Sequence, residues 1–204
     1  LLANPGVGTR YKSMLQASYS AESLETSVQL TGQIVRFSLL FEAVSAALLF
    51  ISWGDQHFAT VGDRIFHSLF HAISAFNNAG FSLYTGGLAD ASLLGNVPLG
   101  LVIALTVVLG GLGFRPIYEV FSYKALKHRR SNPWVHFSVN TKIAVYAISI
   151  LVPLGALLFF ILEQHGTLAG QSPAMALYHS VFSSITTRTA GFNTIDFGAI
   201  GLPT

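Results

Sequence analysis

From Ile143 to Leu162 the chain carries no charged side chain. A helix rises about 1.5 Å per residue, so such a run spans the roughly 30 Å hydrocarbon core of a bilayer. Two more stretches read the same way. One runs from about Thr31 to Trp53, interrupted by Arg36 and Glu42. The other runs from about Val97 to Tyr123 and is uncharged until Arg115 and Glu119 near its end. The third stretch as a whole extends from about Thr141 to Leu162, with Pro153 predicting a local kink that neighbouring helices can tolerate. Composition supports a membrane solvent. Only 10% of the residues are charged, against about 25% in soluble domains, too few to clothe a water-facing surface. The absence of cysteine excludes disulfides and thiolate metal sites, and a net charge of +2 is too small to indicate nucleic acid.

Two other apolar segments, Ile65 to Phe76 and Met175 to Ile185, are too short to cross. A helix of about 12 residues is only ~18 Å long. The distribution of basic residues indicates what these segments do. Cytoplasmic loops are rich in Lys and Arg, and Lys124, Lys127, Arg129 and Arg130 cluster between the second and third spans. Arg10 and Lys12 precede the first span, and Arg36 lies in its first turns. If the short segments return to the side they came from, both basic regions lie inside and the outer loops hold only Arg64 and Arg188. If the first short segment crosses, the basic loop falls outside. The expectation is therefore two re-entrant segments dipping in from the outer side.

The chain contains this unit twice. Phe66-His67-Ser68-Leu69-Phe70-His71-Ala72-Ile73 aligns with Tyr178-His179-Ser180-Val181-Phe182-Ser183-Ser184-Ile185, and Ala79-Gly80-Phe81 aligns with Ala190-Gly191-Phe192. The histidines 67 and 179 are 112 apart and the glycines 80 and 191 are 111 apart, so one copy carries a one-residue adjustment. Each unit reads as span, half-helix, glycine loop, span. The boundaries that follow are a cytoplasmic connector over 1–30, one repeat over 31–123, a basic cytoplasmic loop over 124–140 and a second repeat over 141–204 lacking its last span. A start at Leu1-Leu2-Ala3 and a stop soon after the second glycine loop lead to the expectation of an internal piece of a longer protein.

Polar, irregular backbone at membrane depth is tolerated only where protein buries it or it lines a watery cavity. Asn77-Asn78-Ala79-Gly80 and Thr187-Arg188-Thr189-Ala190-Gly191 read as such loops, each at the C-terminal end of a short helix. A dehydrated cation needs oxygen ligands, which rings of backbone carbonyls supply. Glycine permits the dihedrals that turn successive carbonyls toward one axis. The C-terminal end of a helix carries roughly half a negative charge and favours a cation. Without a carboxylate ring, the pattern points to carbonyl-based selection of a monovalent ion, with ligands near Asn78, Ala79, Gly80, Thr189, Ala190 and Gly191. Phe81 and Phe192 are expected to pack behind the loops. Arg188 is expected to brace its loop through backbone or carboxylate contacts, with Asp63, Glu163 and Asp196 as candidates.

Other chemistries fit less well. His67 and His71 stand i, i+4, as in a helical metal site, but Ser183 replaces the second histidine in the other copy and no Cys or nearby Glu completes a ligand set. Ser82 after Gly80-Phe81 becomes Asn193 after Gly191-Phe192, so the glycine recurs and the nucleophile does not; no enzyme is indicated. A secondary transporter of a larger solute is a second reading, because broken helices in repeated halves also mark such proteins. Glu42 and Glu119 could relay protons or sodium or form structural pairs with Arg36 or Arg115. A structural scaffold leaves two matched polar glycine loops unexplained.

The strings His71-Ala72-Ile73-Ser74-Ala75-Phe76-Asn77-Asn78-Ala79-Gly80-Phe81 and Ser184-Ile185-Thr186-Thr187-Arg188-Thr189-Ala190-Gly191-Phe192-Asn193-Thr194 resemble the second and third repeats of the Trk/Ktr/HKT superfamily of potassium transporters. Phe41-Glu42-Ala43 and Gly110-Gly111-Leu112-Gly113-Phe114 add to the likeness, which covers nearly the whole chain. The resemblance implies an all-α membrane protein with four such repeats around a pseudo-fourfold pore, three full spans and two re-entrant loops falling in this sequence. It implies potassium uptake through a carbonyl-lined filter, the alternative being a sodium-permeable or ion-coupled transporter of another solute. It further implies a homodimer in the lipid of a plasma membrane (a bacterial inner membrane), with cytosolic nucleotide-binding regulatory subunits. No cofactor is implied; potassium is the substrate. A gating loop is expected beyond Thr204.

Overall fold

The computed structural model describes residues 31–54, 58–121, 127, 130 and 137–201. The connector expected over 1–30 and most of the basic loop expected over 124–140 lie outside these residues. The chain divides into two units, Leu1–Leu39 and Leu40–Thr204. The described part of the first, residues 31–39, is helical, and the packing and contacts below are those within the second.

Among the described residues the regular elements are all helices. Helix α1 covers Thr31–Ser52, α2 Val61–Phe76, α3 Val97–Leu112, α4 Phe114–Phe121, α5 Val139–Glu163 and α6 Pro173–Thr189. Two helices, α1 with 22 residues and α5 with 25, are long and apolar enough to cross a bilayer. A third span exists if α3 and α4 are taken together. The chain is an all-α membrane protein.

The expected second span is not one straight helix. Its two parts, α3 and α4, meet at an angle of 106°. The break falls at Gly113, whose φ of +81° lies in the left-handed region that side chains disfavour. Pro116 in the first turn of α4 costs no hydrogen bond, because the first amides of a helix have no intrahelical partner. Pro153, by contrast, lies inside α5, which is a single helix from Val139 to Glu163.

The short helices have well-defined beginnings. Thr60 caps α2 in a reciprocal box. Its hydroxyl accepts from Asp63 N–H at 3.0 Å, and the Asp63 carboxylate accepts from Thr60 N–H at 2.9 Å. Ser172 caps α6 by accepting from Met175 N–H at 3.3 Å, with Pro173 in the first helical position. At 16 and 17 residues these helices are ~24–26 Å long, short of the bilayer core.

Both short helices turn polar residues inward. In α2, Ser68, His71 and Ser74 are buried while Ile65, Phe66 and Ile73 are exposed. In α6, His179, Ser180, Ser183 and Thr186 are buried while Leu177 is exposed. This inverts the soluble pattern and suits helices whose outer face meets apolar surroundings. Helix α6 packs against α3 and α5, and α2 against α3. Small residues allow the approach. A Cβ on Gly100 would strike the Tyr178 hydroxyl, and one on Gly155 would strike the Ser184 hydroxyl. The apolar core gathers Leu49, Trp53, Leu99, Ile103, Phe182 and Phe192. Trp53 is fully buried and donates its indole N–H to Ser68 Oγ at 2.8 Å, so the end of α1 is fixed to the half-helix α2.

Candidate functional site

Each half-helix ends in the segment that carries a loop glycine, and the two ends are built differently. Helix α2 closes with a Schellman motif. Ala79 N–H donates to Ser74 O at 2.8 Å and Asn78 N–H to Ala75 O at 3.1 Å, with Asn78 left-handed at φ +54°. Asparagine tolerates this region better than most side chains. Helix α6 ends later. Thr187, Arg188 and Thr189 belong to the helix, not to the loop expected from their polarity. The Thr187 hydroxyl donates back to Ser183 O at 2.8 Å, which satisfies it inside the helix. Ala190 then caps α6, donating its N–H to Thr186 O at 3.0 Å. The one-residue adjustment between the copies is thereby located: Asn78, the extra turn residue, has no counterpart before Ala190-Gly191.

The two loop glycines come together. Both have positive φ, +73° for Gly80 and +76° for Gly191, which an L side chain adopts only under strain. A Cβ built on Gly80 would collide with the Ala190 carbonyl oxygen, and one on Gly191 would lie 3.8 Å from Gly80 Cα. Segments 111 residues apart thus meet backbone to backbone. Ala190 is buried and Ala79 exposed.

The bases of the loops are joined by polar contacts. With its amide oriented so that both ends are satisfied, Asn78 donates to Val107 O at 3.2 Å and to the Thr189 hydroxyl at 2.9 Å, and accepts from Gly111 N–H at 3.2 Å. Val107 O and Gly111 N–H are the pair that bond each other in a regular helix. The Asn78 side chain therefore addresses both groups of one α3 turn just before the break at Gly113, where side-chain insertion favours bending. Gly110 admits this approach, because a Cβ there would strike the Phe76 carbonyl oxygen. Asn77 donates to Glu42 Oε1 at 2.9 Å and to Ile73 O at 2.9 Å, so Glu42 of α1 is tied to the end of α2. Glu119, the other carboxylate considered for a relay, accepts from Ser138 N–H at 3.0 Å and lies 3.7 Å from Arg115.

Beyond the glycines, each chain segment is tied back to its own half-helix. The Ser74 hydroxyl donates to Phe81 O at 2.8 Å, and the Thr186 hydroxyl donates to Phe192 O at 2.6 Å. A histidine adds a second tie in each copy. His71 Nε2 meets Ser82 Oγ at 3.2 Å, and His179 Nδ1 meets Thr194 Oγ1 at 2.9 Å. Because His71 Nδ1 faces His67 O at 2.8 Å, that nitrogen carries the proton and Nε2 accepts from Ser82. His67 and His71 are thus engaged as packing and tethering groups beside Trp53, with His67 stacked on His71 at 6.1 Å between ring centroids.

Of two expectations about the surroundings, the packing of Phe81 needs correction and the contact of Arg188 takes its backbone form. Phe192 is buried, at 1% exposure, in the core, where its ring lies 6.5 Å from that of His71. Phe81 is 68% exposed and does not pack behind its loop. Phe192 uses a surface supplied by the first copy, and no described residue offers Phe81 the equivalent. Arg188 donates its Nε to Ser184 O at 3.1 Å, a backbone contact. The carboxylates considered for it are engaged elsewhere. Asp63 completes the α2 cap, Asp196 accepts from Gly198 N–H, and buried Glu163 accepts from Thr167 N–H and Gly201 N–H.

Ser74 and Thr186 were not singled out in the sequence. The aligned helical strings stop one residue short of them, at Ile73 and Ile185. Extending the match at the same 112-residue offset would have placed a hydroxyl at the same point of both half-helices.

Comparison with known proteins identifies the family. The family model described as TrkH, cation transport protein, matches residues 9–201. The Ktr system potassium uptake protein B of Bacillus subtilis is 35% identical over 196 residues, covering 95% of this chain and 41% of that protein. The protein of the same name from Vibrio alginolyticus is 33% identical over 170 residues, 82% of this chain and 35% of its own length. The potassium/sodium uptake protein NtpJ of Enterococcus hirae is 29% identical over 198 residues, 96% of this chain and 41% of its own. The chain therefore spans about two fifths of the length of the curated relatives it matches. With the matched region covering nearly all of its residues, the chain belongs to the TrkH family of cation transport proteins, which are multi-pass proteins of the plasma membrane and not an enzyme class.

Proposed function

We propose that this chain supplies two quadrants of a potassium-uptake pore, with carbonyls near Asn78, Ala79, Gly80, Thr189, Ala190 and Gly191 forming part of the selectivity filter. The observation that carries this reading is the meeting of Gly80 and Gly191. Both have positive φ, their backbones are in contact, and each follows the C-terminus of a half-helix too short to cross. Two such ends bring two partial negative charges toward one place, which a dehydrated cation compensates. Carbonyl dipoles then replace the ion's water shell. Arg188, on the last turn of α6, holds its helix end by its backbone contact and is the only described cation beside the loops.

The two quadrants imply two more from outside this chain, arranged around a pseudo-fourfold axis. The names of two relatives, Ktr system potassium uptake protein B, support potassium as the substrate. The word "system" in those names supports a multi-component assembly, which we assign to a homodimer in the membrane and cytosolic nucleotide-binding regulatory subunits. The third relative's name, potassium/sodium uptake protein, keeps a second reading in play, in which the same loops pass sodium as well.

The test is uptake by the full-length protein in cells lacking their own potassium-uptake systems, at low external potassium. Rescued growth and rubidium influx, both lost when Gly80 and Gly191 are replaced by serine, support the reading. Membrane-inserted protein that gives neither rescue nor rubidium flux contradicts it. Sodium influx matching that of rubidium selects the second reading.

A further inference from the structure

We infer that Ser74 and Thr186 are positioning residues for ion selectivity, each holding the carbonyl that follows a loop glycine against its half-helix and so fixing which backbone oxygens remain free for the ion. This rests on the filter reading above. The bonds are Ser74 Oγ to Phe81 O at 2.8 Å and Thr186 Oγ1 to Phe192 O at 2.6 Å. Their equivalence is the argument. Residues 74 and 186 are 112 apart and Phe81 and Phe192 are 111 apart, the same two offsets that relate the half-helices and the glycines. The tie survives although one copy uses serine and the other threonine, although the helix ends differ by Asn78, and although Phe81 is exposed while Phe192 is buried. A packing accident has no reason to recur across those differences.

The chemistry gives the tie a direction. A filter loop offers several carbonyls, and any of them is attractive to a cation. Ser74 and Thr186 are both buried, at 5% and 3% exposure. A buried hydroxyl without an acceptor is costly, so the Phe81 and Phe192 oxygens stay engaged with the helix. The carbonyl one residue past each glycine is thereby withdrawn from the ion, and the φ of the glycine is held near +75° from the far side. Without the hydroxyl, that peptide plane is free to rotate its oxygen into the loop. The set of oxygens, and with it the cavity size that separates potassium from sodium, is then no longer unique.

The experiment uses the full-length protein and compares Thr186→Val, which keeps the shape and removes the hydroxyl, with Thr186→Ser, which keeps the hydroxyl. Ser74→Ala and Ser74→Thr form the matching pair. The readout is the ratio of rubidium to sodium influx, alongside membrane abundance. Loss of one hydrogen bond of ordinary net strength corresponds to about a fivefold change in a population, so Thr186→Val is expected to lower the ratio about fivefold or more, with Thr186→Ser close to the parent. A parental ratio in Thr186→Val and Ser74→Ala at parental abundance overturns the inference while leaving the filter reading standing. A parent that transports no potassium overturns the filter reading itself. If neither hydroxyl-free variant reaches the membrane while both hydroxyl-bearing variants do, the hydroxyls serve folding and the inference is also overturned.

Discussion

Replacing Gly80 by alanine separates two effects that a glycine can have at a filter. The first is backbone strain. Gly80 sits at φ +73°, and an L residue held in the left-handed region costs roughly 1–2 kcal/mol. The second is displacement. The new Cβ would lie 3.0 Å from both the Ala190 carbonyl carbon and Gly191 Cα, and closer still to the Ala190 carbonyl oxygen. Carbon atoms prefer about 3.5–4.0 Å, so the second loop must retreat by about 0.5–1 Å to relieve those contacts alone. Gly95 supplies the control. It has φ +82° and nothing within 4 Å of a built Cβ, so Gly95→Ala carries the strain without the displacement. In the full-length protein both variants are expected to lose thermal stability in detergent, Gly80→Ala the more because it adds the displacement to the strain. Only Gly80→Ala should lower the rubidium-to-sodium influx ratio, by tenfold or more, which corresponds to about 1.4 kcal/mol of lost discrimination. A parental ratio in Gly80→Ala, or an equal fall in Gly95→Ala, would refute the claim that contact between the two loops sets selectivity.

Three further expectations follow from the site's supports. Gly110→Ala should destabilise the protein by about 1–3 kcal/mol through overpacking, because its Cβ meets the Phe76 carbonyl oxygen. Gly111→Ala should be better tolerated, with contacts no nearer than 3.9 Å, and thermal unfolding distinguishes them. Asn78→Gly keeps the left-handed turn and deletes the amide. Its melting temperature should fall by the equivalent of about 1 kcal/mol for the lost hydrogen bonds, and an unchanged melting temperature would show that the amide bridge to α3 is dispensable. Thr60→Val removes the side-chain cap of α2 and should cost about 1 kcal/mol without altering the influx ratio, because the capped end is the one remote from the loop.

How far the residues disclosed this arrangement depends on the range of the interaction. The third span was legible because it is a continuous apolar run whose length alone matches a bilayer, and the first because its apolar length matches a bilayer despite Arg36 and Glu42. The half-helices were legible by their shortness and their repetition. The second span misled, since hydropathy continues past Gly113 into Phe114–Phe121 while the backbone turns there. Its Gly110-Gly111-Leu112-Gly113 run hinted at irregularity, but the partner, Asn78, lies some thirty positions upstream and nothing local joins the two. Polarity likewise misassigned Thr187, Arg188 and Thr189 to a loop, because Thr187 and Arg188 bond backward to the helix that carries them and Thr189 pairs with the distant Asn78. Phe81 and Phe192 read identically in sequence and differ in burial, since a side chain's environment depends on which distant segment lies beside it.

The central claim is that the paired glycine loops hold a dehydrated potassium ion, and the most direct measurement is anomalous scattering from crystals of the full-length protein grown in rubidium or thallium. The account predicts a peak beside the contact of Gly80 with Gly191, within coordinating distance of backbone oxygens from both loops and absent in Gly80→Ala. A protein that transports rubidium yet binds it elsewhere, with no peak beside the two loops, would contradict the account.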